Sequence, residues 1–231
     1  MSRPAQLLLL FAAASALRAA VPSGEGASGG KVEWARLKTD SPYWDQHSER
    51  DVKVLGLMRD ETSLNIDGTL HAASAGNLKE LCAYPFLFAE TIASVSEAEG
   101  ATLGEYLRRG GFVLIDACVR VTVNPDSAAY LAAQIGTLRR QFPTLRVVPL
   151  GPDHEIFSIY FKMAQCPPQT RSGTNPPWAN YGTEPLRGIY VGDRMIGVIS
   201  LSGFQCGLAQ NPNPREVIRM VTNIYLYAMT R

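Results

Sequence analysis

The stretch SEAEGATLGEYLRRGGFVLIDAC, residues 96–118, decides how this chain is read. Ser96 followed by Glu99 fits a capping box, in which a serine oxygen and a glutamate carboxylate each take one orphan backbone N–H. Leu103, Tyr106 and Leu107 share one helical face. Arg108 and Arg109 place positive charge where a helix exposes its last carbonyls. Gly110 follows at the position where the chain usually needs positive φ. Phe112, Val113, Leu114 and Ile115 then form an unbroken apolar run, the mark of a strand covered on both faces. Asp116 ends it. In open α/β sheets ligands collect beyond the carboxyl ends of strands, so residues 116–120 are the first place to look for a site.

Outward from this unit, the mature chain alternates strand and helix patterns. Residues 32–38 (VEWARLK) predict a first strand, 51–59 a helix, 64–66 a short second strand and 78–82 a brief helix. Residues 84–89 (YPFLFA) predict a buried strand, with Pro85 tolerated near its start. Beyond the central unit, Asp126 and Ser127 cap a helix running through Gln141, and 145–150 (LRVVPL) predicts another strand. Residues 166–185 hold Pro167, Pro168, Pro176, Pro177 and Pro185, which predicts a long irregular loop. Residues 188–191 and 195–201 predict a hairpin turning at Gly192-Asp193. Asn213 and Pro214 open a final helix with Val217, Val221, Ile224 and Ala228 inward. The alternation predicts an α/β fold with a mostly parallel, doubly wound sheet and an antiparallel hairpin at one edge.

Length and composition fit that picture. A chain of 231 residues with 46% hydrophobic and 19% charged residues suits one core-bearing domain plus a small extension. Net charge is +1 and no basic run exceeds two residues, so no nucleic-acid partner is expected. Residues 1–20 read as a signal peptide, with Arg3 before an apolar run at 7–13 and an A-x-A pattern at Ala14-Ser15-Ala16. A cut after Ala19 fits as well. Residues 21–31 read as a flexible leader and 32–231 as the single domain. The expected location is periplasmic or extracellular, with no membrane span once the signal is removed.

Export bears on the cysteines. Cys82, Cys118, Cys166 and Cys206 allow three full pairings, among which sequence does not choose. Cys82 precedes its strand whereas Cys118 and Cys206 follow theirs, so a parallel sheet puts Cys82 at the opposite end. A single bridge among Cys118, Cys166 and Cys206 is expected, with Cys166–Cys206 preferred. No C-x-x-C or H-E-x-x-H spacing occurs, and His47 and His71 lie in loops without a matching carboxylate spacing. Neither a metal nor a cofactor is expected.

Several phrases together resemble a known family. GGFVLID (110–116), YPFLF (84–88), DHEIF (153–157), the hairpin GIYVGDRMIGVIS (188–200) and the closing NIYLYAMT (223–230) occur in the order of the bacterial family catalogued as domain of unknown function forty-one fifty-nine. Arg36, Trp44 and Asp45 fit its start more loosely. The resemblance covers about residues 32–231 and implies a flavodoxin-like sheet related to class I glutamine amidotransferases, with no established activity. Two departures stand out: Ala117 and Cys118 where relatives carry a second acidic residue, and GFQCGLAQNP (203–212) where relatives carry an acidic segment with tryptophan.

The chemistry is weighed residue by residue. An amidotransferase needs a cysteine at a sharp elbow and a histidine oriented by a carboxylate, but Cys118 lacks the G-x-C-x-G turn and no His-x-Glu pair occurs. Asp116 fits an acceptor for loop N–H groups, a partner for sugar hydroxyls, or an acid/base group, with Arg120, Arg187 or Arg194 as its counter-charge. His154 fits a general base at the sheet's rim or, more simply, a cap on the next element. Trp44 in the first loop, and Trp178 and Tyr181 in the proline-rich one, fit either ligand stacking or loop plugs. Ligand contacts are therefore expected from Trp44, Asp116, Arg120, His154, Trp178, Tyr181 and Arg194. The leading expectation is a non-catalytic module that binds an envelope ligand or protein. The alternative is a hydrolase-like enzyme acting on a carbohydrate or peptide through Asp116 and His154.

Overall fold

The computed structural model describes residues 31–116, 127–167, 185–204 and 215–231. At its centre β4 (Phe112–Asp116) is buried along its whole length. Side chains alternate across a strand, so Phe112 and Leu114 enter one core layer while Val113 and Ile115 enter the other. The first layer is covered by α1 (Glu49–Glu61) through Val54, Leu55 and Met58, and by α5 (Arg215–Thr230) through Val217, Ile218, Val221 and Ile224. The second is covered by α2 (Leu78–Cys82), α3 (Glu97–Arg108) and α4 (Ser127–Gln141), which contribute Leu81, Leu103, Leu107, Tyr130 and Leu138.

The remaining strands are β1 (Ala35–Lys38), β2 (His71–Ser74), β3 (Phe86–Ala89), β5 (Arg146–Pro149), β6 (Arg187–Val191) and β7 (Arg194–Ser200). Their order in one seven-stranded sheet is β2-β1-β3-β4-β7-β6-β5. The pairs β1–β2, β1–β3, β3–β4 and β4–β7 are parallel, and β7–β6 and β6–β5 are antiparallel. The protein is thus an α/β fold with a mostly parallel sheet, helices on both faces and an antiparallel margin. No helix among the described residues is long and apolar enough to cross a membrane.

Local chemistry explains the central unit. Ser96 Oγ accepts from Glu99 N (3.2 Å) and Glu99 Oε2 accepts from Ser96 N (2.8 Å), which closes the capping box. At the other end Gly110 takes φ 105°, a conformation that a Cβ would oppose. Buried Tyr106 donates to the carbonyls of Tyr84 and Phe112 (3.1 and 3.2 Å) and so fastens α3 to the entries of β3 and β4.

One strand differs from expectation. Residues 64–66 were expected to form the second strand, but only Ile66 pairs, in an isolated bridge to Val32. The strand beside β1 is HAAS, residues 71–74. Its small side chains suffice because it lies at the sheet edge, and only Ala73 in it is fully buried. The expected hairpin forms as β6 and β7, turning at Gly192 with φ 60°. Asp126, Asn213 and Pro214, expected at helix starts, lie outside the described residues.

β4 and β7 approach so closely that a Cβ at Gly197 would lie 2.5 Å from the carbonyl oxygen of Val113. Overpacking of that kind costs about 1–3 kcal/mol. Gly197→Ala is accordingly expected to lower the unfolding free energy by that amount, read as a fall in the urea midpoint, and an unchanged midpoint would contradict the β4–β7 pairing.

Candidate functional site

The sheet order reverses direction between β1 and β3. From β1 the chain passes through α1 to β2 on one side, and from β3 through α3 to β4 on the other. A crevice at such a switch point opens beyond the carboxyl ends of the strands. Register runs level across four strands there, with Arg36 against Phe88, Phe88 against Leu114 and Leu114 against Val198. Two residues further on, the same row becomes polar: Lys38 ends β1, Glu90 follows β3, and Asp116 pairs with Ser200. Lys38 is exposed, whereas Glu90, Asp116 and Ser200 are 7%, 1% and 0% exposed.

Beneath the row sits a buried ion pair. Arg36, 1% exposed, donates from Nε to Asp51 Oδ2 (2.5 Å) and from Nη2 to Asp51 Oδ1 (2.9 Å), so β1 and α1 are joined by a bidentate fork. Its Nη1 donates to the carbonyl of Trp44 (3.0 Å), and its guanidinium lies over the Phe88 ring at 5.0 Å. Those contacts fix the loop after β1 in place. Trp44 is half-buried there, with the Lys38 ammonium 5.6 Å from its ring.

The loop after β3 is held from α4. Gln134 Oε1 accepts from Ile92 N (2.7 Å), and Gln134 Nε2 donates to Thr91 Oγ1 (3.0 Å). Tyr130 donates to the Glu90 carbonyl (2.5 Å). Burial, followed by the charges of Glu90 and Asp116, pushes the Tyr130 phenol well above its ordinary value, so both carboxylates act on this one hydroxyl. On the β7 side, Ser202 donates from Oγ to the Pro167 carbonyl (3.1 Å) and lies 3.5 Å from Cys166 Sγ. Arg187 pairs with Ile199 beside this end of the sheet and donates to the Pro185 carbonyl (3.0 Å).

Cys166 requires a correction. It is a free thiol, 2% exposed, so the expected bridge to Cys206 is not made; Cys206 itself lies outside the described residues, as does Cys118. Burial is the main cause that pushes the Cys166 thiol up to about 12. It stays protonated at neutral pH and is no nucleophile. A cavity of ≈ 270 Å³ opens beside it, lined by Leu150, Phe157, Pro185 and Leu186 among others.

The other expected site residues separate. Trp44 and Asp116 lie at the carboxyl rim, while Arg120, Trp178 and Tyr181 fall outside the described residues. Arg194 begins β7 and donates to the Leu107 carbonyl at the end of α3, which places it at the amino end of the sheet. His154 also lies away from the rim. Its Nδ1 accepts from Ile156 N (3.2 Å), capping a single 3₁₀ turn at Glu155–Phe157, and its Nε2 meets Tyr190 Oη at 3.3 Å. Its ring packs 5.6 Å from that of Tyr227, which in turn packs against Phe112 at the start of β4. Tyr190 pairs with Met195, and five strand residues from there to Ser200 span about 16 Å. Burial lowers the His154 pKa. Asp116 and His154 are not brought together.

Sequence reasoning missed Lys38, Glu90, Tyr130 and Ser200. The signal available for the row was register: Lys38, Glu90 and Ser200 each lie at or just past the carboxyl end of a strand, which a strand-by-strand count would have collected, whereas Tyr130 lies within α4.

The fold and the polar rim define a doubly wound α/β protein whose polar groups gather at the switch point of its sheet. The chain belongs to the family described as domain of unknown function (DUF4159), whose model matches residues 33–229. No curated protein matches the chain.

Removing one partner of a buried ion pair leaves the other charge uncompensated, at a cost of about 3–5 kcal/mol. Asp51→Ala is expected to lose that much stability in urea unfolding, and Arg36→Met combined with Asp51→Leu to regain most of it. Equal losses in the single and double variants would show that the pair does not hold the loop.

Proposed function

We propose that this protein is an exported, non-catalytic binding module that takes a hydroxyl-rich ligand at the carboxyl rim of its sheet. The observation that carries the reading is the level row of Lys38, Glu90, Asp116 and Ser200 across four adjacent strands at the switch point. Carboxylates accept hydrogen bonds from hydroxyl groups, and the exposed Lys38 ammonium supplies donors in return. Two neighbouring carboxylates disfavour an anionic ligand. Trp44 at the edge of the row offers an aromatic face against which the C–H surface of a sugar packs.

Two observations favour binding over hydrolysis. His154 has both ring nitrogens engaged in a structural turn away from Asp116, and Cys166 is a buried, protonated thiol. Export is supported by the charged, apolar and A-x-A segments of residues 1–20. A periplasmic or extracellular setting follows from that reading, and expression in a secreting host is expected to yield a mature chain starting at residue 17 or 20. Recovery of the chain in the cytoplasm with Met1 and the apolar segment intact would refute export.

The binding test is a thermal-shift panel of neutral mono- and oligosaccharides, sugar acids and cell-wall glycan fragments. At a hundredfold excess over Kd, a true ligand is expected to raise Tm by about 5 °C or more. Asp116→Asn and Glu90→Gln are each expected to weaken that ligand by about ten- to a hundredfold. His154→Gln and Arg194→Lys, at the other end of the sheet, are expected to leave it unchanged. The reading fails if no neutral sugar or glycan shifts Tm, or if the rim variants bind as the parent does.

A further inference from the structure

A second cluster of polar side chains lies at the amino end of the sheet, away from the rim. Glu33, Asp67 and His71 each present one potential ligand atom, and all three atoms lie within 4.8 Å of one another. All three residues are half-buried. We propose that they form a site for a divalent first-row transition cation such as zinc or manganese.

The backbone holds the three in place before any ion arrives. Val32 N donates to the Asn65 carbonyl (2.7 Å) and Asp67 N donates to the Val32 carbonyl (2.9 Å), so the chain on either side of Glu33 and Asp67 is clamped together. His71 is the first residue of β2 and pairs with Ala35, two residues after Glu33. Thr69 N donates to Asp67 Oδ1 (2.9 Å), which orients the carboxylate and leaves Oδ2 3.6 Å from His71 Nε2. That Nε2 atom is itself shielded from solvent and meets no hydrogen-bond geometry, its contact with Asp67 being the loose 3.6 Å pairing alone.

Chemistry selects the ligand. An imidazole nitrogen suits zinc and iron, carboxylate oxygens suit zinc and manganese, and three protein ligands leave open positions for water. Ligand atoms about a metal at 2.0–2.2 Å stand roughly 3.4 Å apart, so the three need to close by little more than about 1 Å. The local field already favours a cation. After burial, the largest causes that raise the Tyr84 phenol are the charges of Glu33, Glu80 and Asp67, and the Tyr84 ring lies 5.3 Å from that of His71. A bound ion would tie the edge strand β2 to the entry of β1, where few large apolar side chains do so.

The test is isothermal titration of the chelator-treated full chain with zinc sulfate and with manganese chloride, with Tm measured in parallel. One ion per chain is expected, with a Kd well below millimolar and a rise in Tm. His71→Gln and Glu33→Gln are each expected to weaken binding at least about tenfold, since disturbing even a ligand's supporting partner costs that much. His154→Gln and Asp116→Asn are expected to bind the ion as the parent does, so this result stands or falls apart from sugar binding at the rim. The partly exposed Glu33 variant guards against loss of fold in the His71 variant, and circular dichroism checks both. Binding that survives both substitutions, as it would at a thiol, overturns the assignment, and so does the absence of saturable binding by either cation.

Discussion

A strand buried on both faces has nowhere to put a polar side chain except at its ends. β4 obeys that constraint fully: Phe112, Val113, Leu114 and Ile115 are divided between two apolar layers, and the first polar residue is Asp116. β3 and β7 share the condition, with FLFA buried throughout and β7 buried from Met195 to Ser200. The middle of the molecule is therefore closed to recognition chemistry. Polar groups collect in two bands, at the carboxyl rim and at the amino ends, and the two candidate sites are consequences of the same burial.

Burial also sets how firmly each band is held. At the rim, the loops leaving β1 and β3 are bound to structure on opposite faces of the sheet. Arg36 and Asp51 anchor the first from the α1 side, and Gln134 and Tyr130 anchor the second from α4. The two loops meet where Ser94 Oγ lies 3.5 Å from Thr39 Oγ1. A buried ion pair is not a cheap source of stability, because desolvation offsets most of the attraction. Its bidentate geometry does fix one orientation, and that orientation carries Trp44 to the edge of the carboxylate row. The arrangement leaves both loop ends held from the helices on either face of the sheet.

What could be read from the chain alone follows the range of the interactions involved. The capping box at Ser96 and Glu99, the positive-φ Gly110 and the FVLID run are local, so their consequences appear within a few residues and were legible. β2 was misplaced because a sheet-edge strand of small residues has almost no apolar pattern, whereas the neighbouring LNI has one. The rim was half legible, since Asp116 terminates an obvious strand but Glu90 and Ser200 become its neighbours only through register. Glu33, Asp67 and His71 were invisible as a set. Parallel pairing of β1 with β2 brings together residues more than thirty positions apart, and no linear spacing rule covers that separation.

His154 shows why a residue's type is weaker evidence than its partners. A histidine after a strand, beside two acidic neighbours, has the composition of a general base. Its Nδ1 is committed to Ile156 N, which fixes the proton on Nε2 when the ring is neutral and aims it at Tyr190 Oη. A ring held that way turns no free lone pair toward a substrate. The half-buried setting lowers its pKa, so the neutral form that makes the cap is the form favoured near neutral pH. Acidification through that lowered pKa converts Nδ1 from acceptor to donor and breaks the cap, whereas raising the pH leaves it intact. The same apolar packing against Tyr227 that depresses basicity thus preserves a structural hydrogen bond, and it does so at the end of the sheet remote from Asp116. Catalysis by this pair would require the turn to be dismantled first, which is a stronger objection than distance alone.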